Sequence, residues 1–570
     1  MAITYDKLAT TASVLNAAPY PSDDADYKLL AANDLRQDIE KVPGSGPIRG
    51  LTVYNDVLYA FRDNAAATAG DMYKATTAGW VKISFNNELL FNATAADIKV
   101  GDTVVGGTSG ATAVVLEVLL RTGTWTVAGA GSLVLGAITN GPFQTGEDLK
   151  VSTVKKGTAN GINHAITRLP GGWLELAIDN FTGSTETDKI FGADGVNPAF
   201  SFNGTTYVPI HTGMTTDTPE HVYVHKFMLF LSFYGSIQFS AIGDPYAWTV
   251  VLGAGEVAVG DQVECFIAGP GDSVSGSSLQ ILTRDKLYSL YGSSADDFRM
   301  ITSISGIGFY ARTAQLISNN SYGLSDRGIQ AIVTTLTYGN FDYASVSHLI
   351  QSYVNARRGM STCSTTSKLL NQYRLYFTDG SGLVVGLTGD KDNGIMPLDY
   401  GMPVRCITTS NLSDGAEVTF FGSDDGFVYQ DNVGTSFDGN AIEAWVRPAF
   451  NNVKSPQIRK TFKRAVFEVA TEGYAEVQCT YDLGYGTPAV SQSTDQGALT
   501  LAGAGGYWDQ FTWDEFTWDS PAYLTPSISV NGTEKNISFL FYSNRAQDAS
   551  HTVTGCSLSY IFRRPERTYS

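Results

Sequence analysis

The sequence predicts an all-β fold: a β-propeller of about seven blades, an inserted small β-barrel or sandwich domain, and a C-terminal β-sandwich. Three observations carry this reading. Of 570 residues 59 are Gly, Tyr and Phe contribute 29 each, and only 16% are charged. Glycine marks tight turns and aromatic side chains suit pleated, half-buried surfaces, so many short strands joined by turns are expected. A loose repeat (an apolar, Tyr- or Phe-rich strand, a turn, a second strand, a return) recurs seven times. Its spacing is mostly about 35–55 residues, the period of a propeller blade. Beyond residue 447 the rhythm gives way to longer alternating strands.

The elements follow in order. Residues 1–45 form a polar arm with one short helix, "LLAANDLRQDIEKV", whose Leu29, Leu30, Leu35 and Ile39 roughly share a face before "PGSGPIRG" breaks it. Residues 46–84 form the first blade, "LTVYNDVLYAFRD" and "DMYKATTAGWVKI". Residues 85–165 interrupt the spacing with Val/Leu strands and Gly turns such as "GTSGATAVVLEVLL". They read as a small β domain placed in an exposed connection, where insertion disturbs the host little. The remaining blades occupy 166–446, with copies such as "KFMLFLSFYGSIQFSAIGDPYAWTVV" and "NQYRLYFTDGSGLVVGLTGDKDNGIMPL". In 447–570, "KTFKRAVFEVA", "YAEVQCTYDLGYG", "NISFLFYSN" and "TVTGCSLSYIFRRP" read as the long strands of a sandwich.

The charge narrows the function classes. A net charge of −18 repels phosphates, so sequence-specific nucleic-acid binding through a basic patch is not expected. An acidic wall past which DNA slides without sticking remains compatible. Cys265, Cys363, Cys406, Cys479 and Cys556 are scattered, with no CxxC pair and no disulfide framework, and are expected as buried reduced thiols. The start, "MAITYDKLATTASVLNAAPY", has no signal-peptide pattern, and "FMLFLSF" is far shorter than the ~20 residues of a spanning helix. A soluble protein made in a cytoplasm, with no membrane span, is expected.

No constellation points to catalysis. The six histidines contain no HExxH. His221 and His225 stand four apart in "PEHVYVHKF", but Val222, Tyr223 and Val224 favour a strand. Strand rise would separate them by about 13 Å on one face, too far for one metal ion. There is no GxSxG elbow and no Walker lysine, and "GTSGATA" (107–113) reads as flexible turn chemistry. Asp424, Asp425, Asp431 and Asp438 lack the EF-hand order and read as acidic turns. The sialidase Asp-box is not met, because Gly426 directly follows Asp425. No catalytic, cofactor or metal residue is assigned and no enzyme is expected, although 56 Asp and Glu always allow some carboxylate pair.

Three segments, read together, resemble a family. They are "FSAIGDPYAWTVVLGAGEVAVGD" (239–261) with "LQILTRDKLYSLYGSSADDF" (279–298), then "FFGSDDGFVYQDNVGTSFDGNAIEAW" (420–445) with "RKTFKRAVFEV" (459–469), then "YWDQFTWDEFTWDS" (507–520) with "SLSYIFRRPER" (557–567). They look like the β-propeller tail nozzle proteins of short-tailed bacteriophages, related in architecture to tail tubular and packaged-DNA stabilisation proteins. The resemblance implies a structural virion tail protein, not an enzyme. It implies a hexameric ring below portal and adaptor proteins that retains packaged double-stranded DNA, conducts it during ejection, and carries fibres or spikes outside. The competing readings are a receptor-binding or fibre-type protein recognising host surface glycan, a glycan-cleaving enzyme, and a cellular propeller scaffold.

The triple Trp-Asp run places Trp508, Trp513 and Trp518 five residues apart. WD-type propellers place one such pair per blade, about 40 residues apart. A step of five puts successive rings on opposite faces of a strand and about 140° apart on a helix, so no coplanar sugar platform forms. The run reads as an aromatic loop of the C-terminal domain, packed against its own strands or serving as a subunit-contact loop.

Overall fold

The computed structural model describes residues 40–563 except 182–187, 270–277, 318–319, 335–340, 348–349, 388–393, 435, 472–474, 485–497, 502–522 and 545–550. The helix expected before residue 43 lies almost wholly outside the described residues, and the Trp-Asp run lies entirely outside them. The chain divides into two compact units between Asp431 and Asn432.

Within the first unit, six four-stranded antiparallel sheets span 45–82, 175–209, 222–258, 263–305, 315–345 and 361–399, and a three-stranded sheet spans 406–430. In each, the strands pair in chain order, so each sheet is a meander. The first strands of the seven sheets (Ser45–Tyr54, Glu175–Asp179, Val222–His225, Val263–Ala268, Gln315–Ile317, Ser361–Ser367 and Cys406–Asn411) neighbour one another in a closed circuit. This is a seven-bladed propeller. Its ring is closed by the segment that leads into the first blade and by that blade's first strand. The N–H of Val42 donates to Gly426 O at 3.0 Å, and that of Ile48 to Ser423 O at 3.2 Å. Ala444–Val446 pairs with Ile537–Ser543 in the C-terminal unit, not with the seventh blade.

The core is a series of wedges between neighbouring blades. A central blade strand is covered on both faces, so it is apolar throughout, as in Met228–Phe233, where every residue is buried. Alternation along the strand then sends successive side chains to different wedges. Ile190 packs with Phe61, Phe200 and Phe202 between blades one and two, whereas Phe191 packs with Leu229 and Leu231 between blades two and three. Phe230, Phe239, Ile281 and Leu290 fill the next wedge. A blade alone cannot bury both faces, which is why the chain repeats it around an axis.

The insertion between the first two blades is a closed antiparallel barrel of six strands: Asn87–Asn92, Thr103–Gly106, Thr112–Thr124, Val127–Leu135, Asp148–Val151 and Val154–Ala159. It closes where Thr158 pairs with Asn92. Leu89, Phe91, Val104, Val115, Leu133 and Leu149 fill its interior, and Trp125 stacks on Phe91 at 5.5 Å. At Gly131 a Cβ would fall 1.9 Å from Leu119 O, so this crossing of two bulged strands admits only glycine.

The second unit is a two-sheet sandwich. Ala444–Val446, Ile537–Ser543, Ala475–Leu483 and Ala498–Leu501 form one sheet. Lys460–Thr471 lies centrally in the other, between Ser527–Glu534 and His551–Phe562. Phe462, Phe467, Val477, Cys479, Val530 and Phe541 make the shared core. The fold class therefore matches the sequence expectation, with the insertion a barrel.

Candidate functional site

Six of the seven inner strands, all but that of the third blade, line an axial cavity of about 230 Å³. That equals a cube of about 6 Å edge, while the major groove of duplex DNA alone is about 12 Å wide, so no duplex threads the propeller axis. Its wall carries Arg49 from the first blade, Glu175 from the second, Arg312 from the connection into the fifth and Arg405 from the connection into the seventh. Cys265, Cys363 and Cys406 also line it. Burial pushes all three thiols up, that of Cys363 to about 12, so they remain protonated and act as small apolar groups. Cys479 is buried as well, whereas Cys556 departs from the expectation and is exposed on an outer strand of the sandwich.

Most of these charges are paired. Arg49 donates to Asp63 at 2.9 Å and lies 4.8 Å from the Trp173 ring centre. Arg405 makes two bonds of 2.7 Å to Asp424. Glu175 accepts from His221 Nδ1 at 2.5 Å. The Arg405–Asp424 pair belongs to a recurring device. In five blades the turn after the second strand presents an aspartate to an arginine: Asp63 to Arg49, Asp194 to Arg168, Asp326 to Arg284, Asp379 to Arg357 and Asp424 to Arg405. The local motifs "RDN", "ADG", "SDR", "TDG" and "SDD" carry this pattern. Asp425 accepts from the Tyr429 hydroxyl at 2.5 Å, Asp431 from Arg374 and from the Tyr400 hydroxyl at 2.9 Å, and Asp438 belongs to the C-terminal unit. Three of the four aspartates thus serve as turn and blade fasteners.

A second polar centre joins barrel to propeller. Glu88 on the first barrel strand is buried, and its Oε2 lies 3.2 Å from His211 Nε2 of the second blade and 3.5 Å from His164 Nε2. Arg121 donates to Glu88 Oε1 at 3.1 Å and to Ser132 Oγ at 2.9 Å. Burial alone would raise the Glu88 pKa. His211, Arg121 and Ser132 outweigh it and hold the carboxyl below its usual range. Beside this centre, Leu119 and Val134 of the barrel pack on Val208.

The turn "GTSGATA" proves to be anchored. Glu147 reaches into it and accepts from the N–H groups of Thr108 (3.0 Å), Ser109 (2.8 Å) and Gln144 (2.7 Å), and from the Ser109 hydroxyl (2.9 Å). The glycines cradle a carboxylate from the same domain. Burial raises the Glu147 pKa, and the N–H donors more than offset this. Its contribution is therefore present above the unfolded value and lost as pH falls through the range below it. Glu147→Gln should destabilise the barrel by about 1.5–3 kcal/mol. Hydrogen exchange of Thr103–Gly106 and Asp148–Val151 reads this directly, with protection at pH 7 falling while the propeller strands stay unchanged.

The two histidines of "PEHVYVHKF" have separate fates. His221 precedes the strand Val222–His225 and bonds Glu175, while His225 ends it, edge-on to Phe230 at 6.2 Å between ring centres. Among the described residues, no group of three or more His, Cys, Asp or Glu is placed to hold a metal ion. No helix there is long and apolar enough to cross a membrane. Sequence reasoning missed Arg312 and the Glu88 centre. The residues of each centre lie far apart in the chain, and no local motif announces them.

Fold and cavity define a seven-bladed β-propeller carrying an inserted barrel. No family model and no curated protein matches the chain. Among solved structures it is similar to the WD40 β-propeller domain of Doa1, at 7% identity and a TM-score of 0.34 over 69% of this chain and 94% of that one. It is also similar to BBS1N in complex with ARL6DN, at 11% identity and a TM-score of 0.30 over 45% and 80% of the two chains. A third is the Chaetomium thermophilum Nup170 NTD–Nup53 complex, at 11% identity and a TM-score of 0.24 over 32% and 28%. None of these likenesses bears on what this chain does.

Proposed function

We propose that the chain is a structural, non-enzymatic subunit of a short-tailed phage tail nozzle. Copies would form a ring, a hexamer, below the portal and adaptor, extending the DNA channel and bearing fibres or spikes. The observation that carries this reading is the ordered resemblance of the segments between 239 and 567, joined to a propeller, barrel and sandwich with net charge −18. Because the propeller's own axis is too narrow for a duplex, a DNA conduit requires several copies around a common axis. An acidic bore would present DNA with a repulsive, low-friction wall.

An exposed apolar ridge at one end of the third blade supports assembly. Val250, Val251 and Leu252 are 79%, 96% and 54% exposed on a turn of 3-10 helix. At the same end, Ile242 and Phe227 are exposed, and Gly243 N–H donates to Phe227 O. Phe227 sits at φ +59, a conformation costly for a bulky residue. Both features lie in or beside the first resembling segment, and apolar side chains this exposed suit a contact between chains.

The test is assembly. In light scattering and negative-stain images, wild type should give six-fold rings. Val251→Asp should shift the population toward monomer by at least tenfold, with unchanged circular dichroism. Three-fold particles that bind host envelope glycan would favour the receptor-binding reading instead.

A further inference from the structure

The Arg312 side chain differs from the two paired arginines of the cavity wall. No hydrogen bond or ion pair joins its guanidinium to any described residue, and its ring contact is Trp173, 5.7 Å from the guanidinium carbon. The residue sits at φ +60 just before the inner strand of the fifth blade, a conformation uncommon outside glycine. Its side chain lines the axial cavity. Enclosure by the blades depresses its pKa through desolvation, yet an arginine stays charged at any physiological pH. The carboxylates of Glu175 and Glu220 offset part of that desolvation through space, while the N–H donors of the fork are left to an anion or ordered water.

The cavity supplies the rest of an anion site. Arg49 and Arg312 flank the same Trp173 ring, at 4.8 and 5.7 Å. Arg405 lines the cavity too. Three guanidinium groups face one carboxylate, Glu175, which already accepts from His221. Arg49 and Arg405 are each held by an aspartate, so their forks are fixed in place. Of the three, Arg312 is the one whose N–H donors are not taken up by a carboxylate of the described residues.

We propose that the axial cavity binds one small oxyanion, a phosphate, sulfate or low-molecular-weight carboxylate, on Arg312 with Arg49 and Arg405 beside it. The guanidinium fork matches the paired oxygens of such anions. A cavity of about 230 Å³ admits a small anion and excludes a polymer. Because Arg49 belongs to the first blade and Arg405 enters the seventh, an occupant ties together the two blades at which the ring closes. The site is built within one chain and goes beyond the nozzle reading, so it stands or falls whether or not chains assemble.

Calorimetry and thermal melts on the full chain test it, with inorganic phosphate, sulfate and citrate added at constant ionic strength against chloride. Wild type should show one saturable site per chain and a Tm that rises with anion concentration, as linkage requires. Arg312→Met should weaken binding at least tenfold. Arg312→Lys, which keeps the charge and most of the volume, should give an intermediate loss and covers the case in which the Met variant fails to fold. Arg284→Met, altering an exposed arginine outside the cavity, should bind as wild type does. Tighter phosphate or sulfate would assign a tetrahedral anion and tighter citrate a carboxylate, and either supports the site. A response no greater than that to chloride, or equal affinity in the Arg312 variants, overturns it.

Discussion

Replacing Arg168 by Met should loosen the junction of the first two blades by about 3–5 kcal/mol, the cost of leaving one member of a buried ion pair behind. Arg168 is buried, forms a charge-assisted bond to Asp194, and donates to the Tyr207 hydroxyl at 2.8 Å. Its guanidinium carbon lies 4.9 Å from the Phe200 ring centre and 5.7 Å from that of Phe61, so it touches both blades. Asp194 is tied further, accepting from the N–H groups of Val196 and Asn197 and from the Asn197 amide. In Arg168→Met these bonds still hold Asp194, now buried without its counter-charge. Native-state hydrogen exchange in Lys189–Ala193 and Phe200–Phe202 should show the loss. Adding Asp194→Asn should recover part of it, because the stranded charge disappears. Unchanged exchange in the single variant would mean that the pair does not hold the blades together.

His225 should make the propeller acid-labile well above the carboxylate range. It is buried, its Nε2 has no hydrogen-bond partner among the described residues, and desolvation, aided by Lys226, lowers its pKa from 6.5 to about 4. For a base with a depressed folded pKa, the unfolded chain binds the proton more readily. Stability is therefore full above about pH 6.5 and is lost as pH falls toward 4; below 4 both states are protonated and the loss is constant. A gap of this size corresponds to about 3 kcal/mol. His225→Phe should remove that part of the pH dependence while other acid-sensitive groups continue to act. Denaturation midpoints of the two proteins, compared from pH 7 to 4, isolate it. Parallel curves would show that His225 protonates freely in the folded state.

The architecture was legible in the sequence wherever local pattern decides it. Strands such as Met228–Phe233 are apolar on both faces because a blade lies on either side, and their spacing gives the blade count. The ring closure was not legible. It rests on Ile48 and Val42 meeting the turn around Ser423–Gly426, residues at opposite ends of the propeller, and no local pattern encodes that meeting. The polar centres were hidden for the same reason. Arg312 sits in "FYARTAQ", an unremarkable stretch, and acquires meaning only when Arg49 and Arg405 come round the axis to the same cavity. Glu88 likewise meets His211 only through the docking of barrel on blade, and His164 through strand pairing with a segment more than 70 residues on. "GTSGATA" looked flexible because its anchor, Glu147, lies beyond the reach of any local motif. The aspartate turns were visible as acidic turns, but their arginine partners come from other turns and connections.

Electron microscopy of the assembled protein tests the nozzle proposal most directly. The account predicts a six-fold ring, located in virions at the tail below the portal, with an acidic bore wide enough for duplex DNA between the copies. A chain that remains monomeric and is absent from the tail, or a ring whose bore is lined by Lys and Arg, would contradict it.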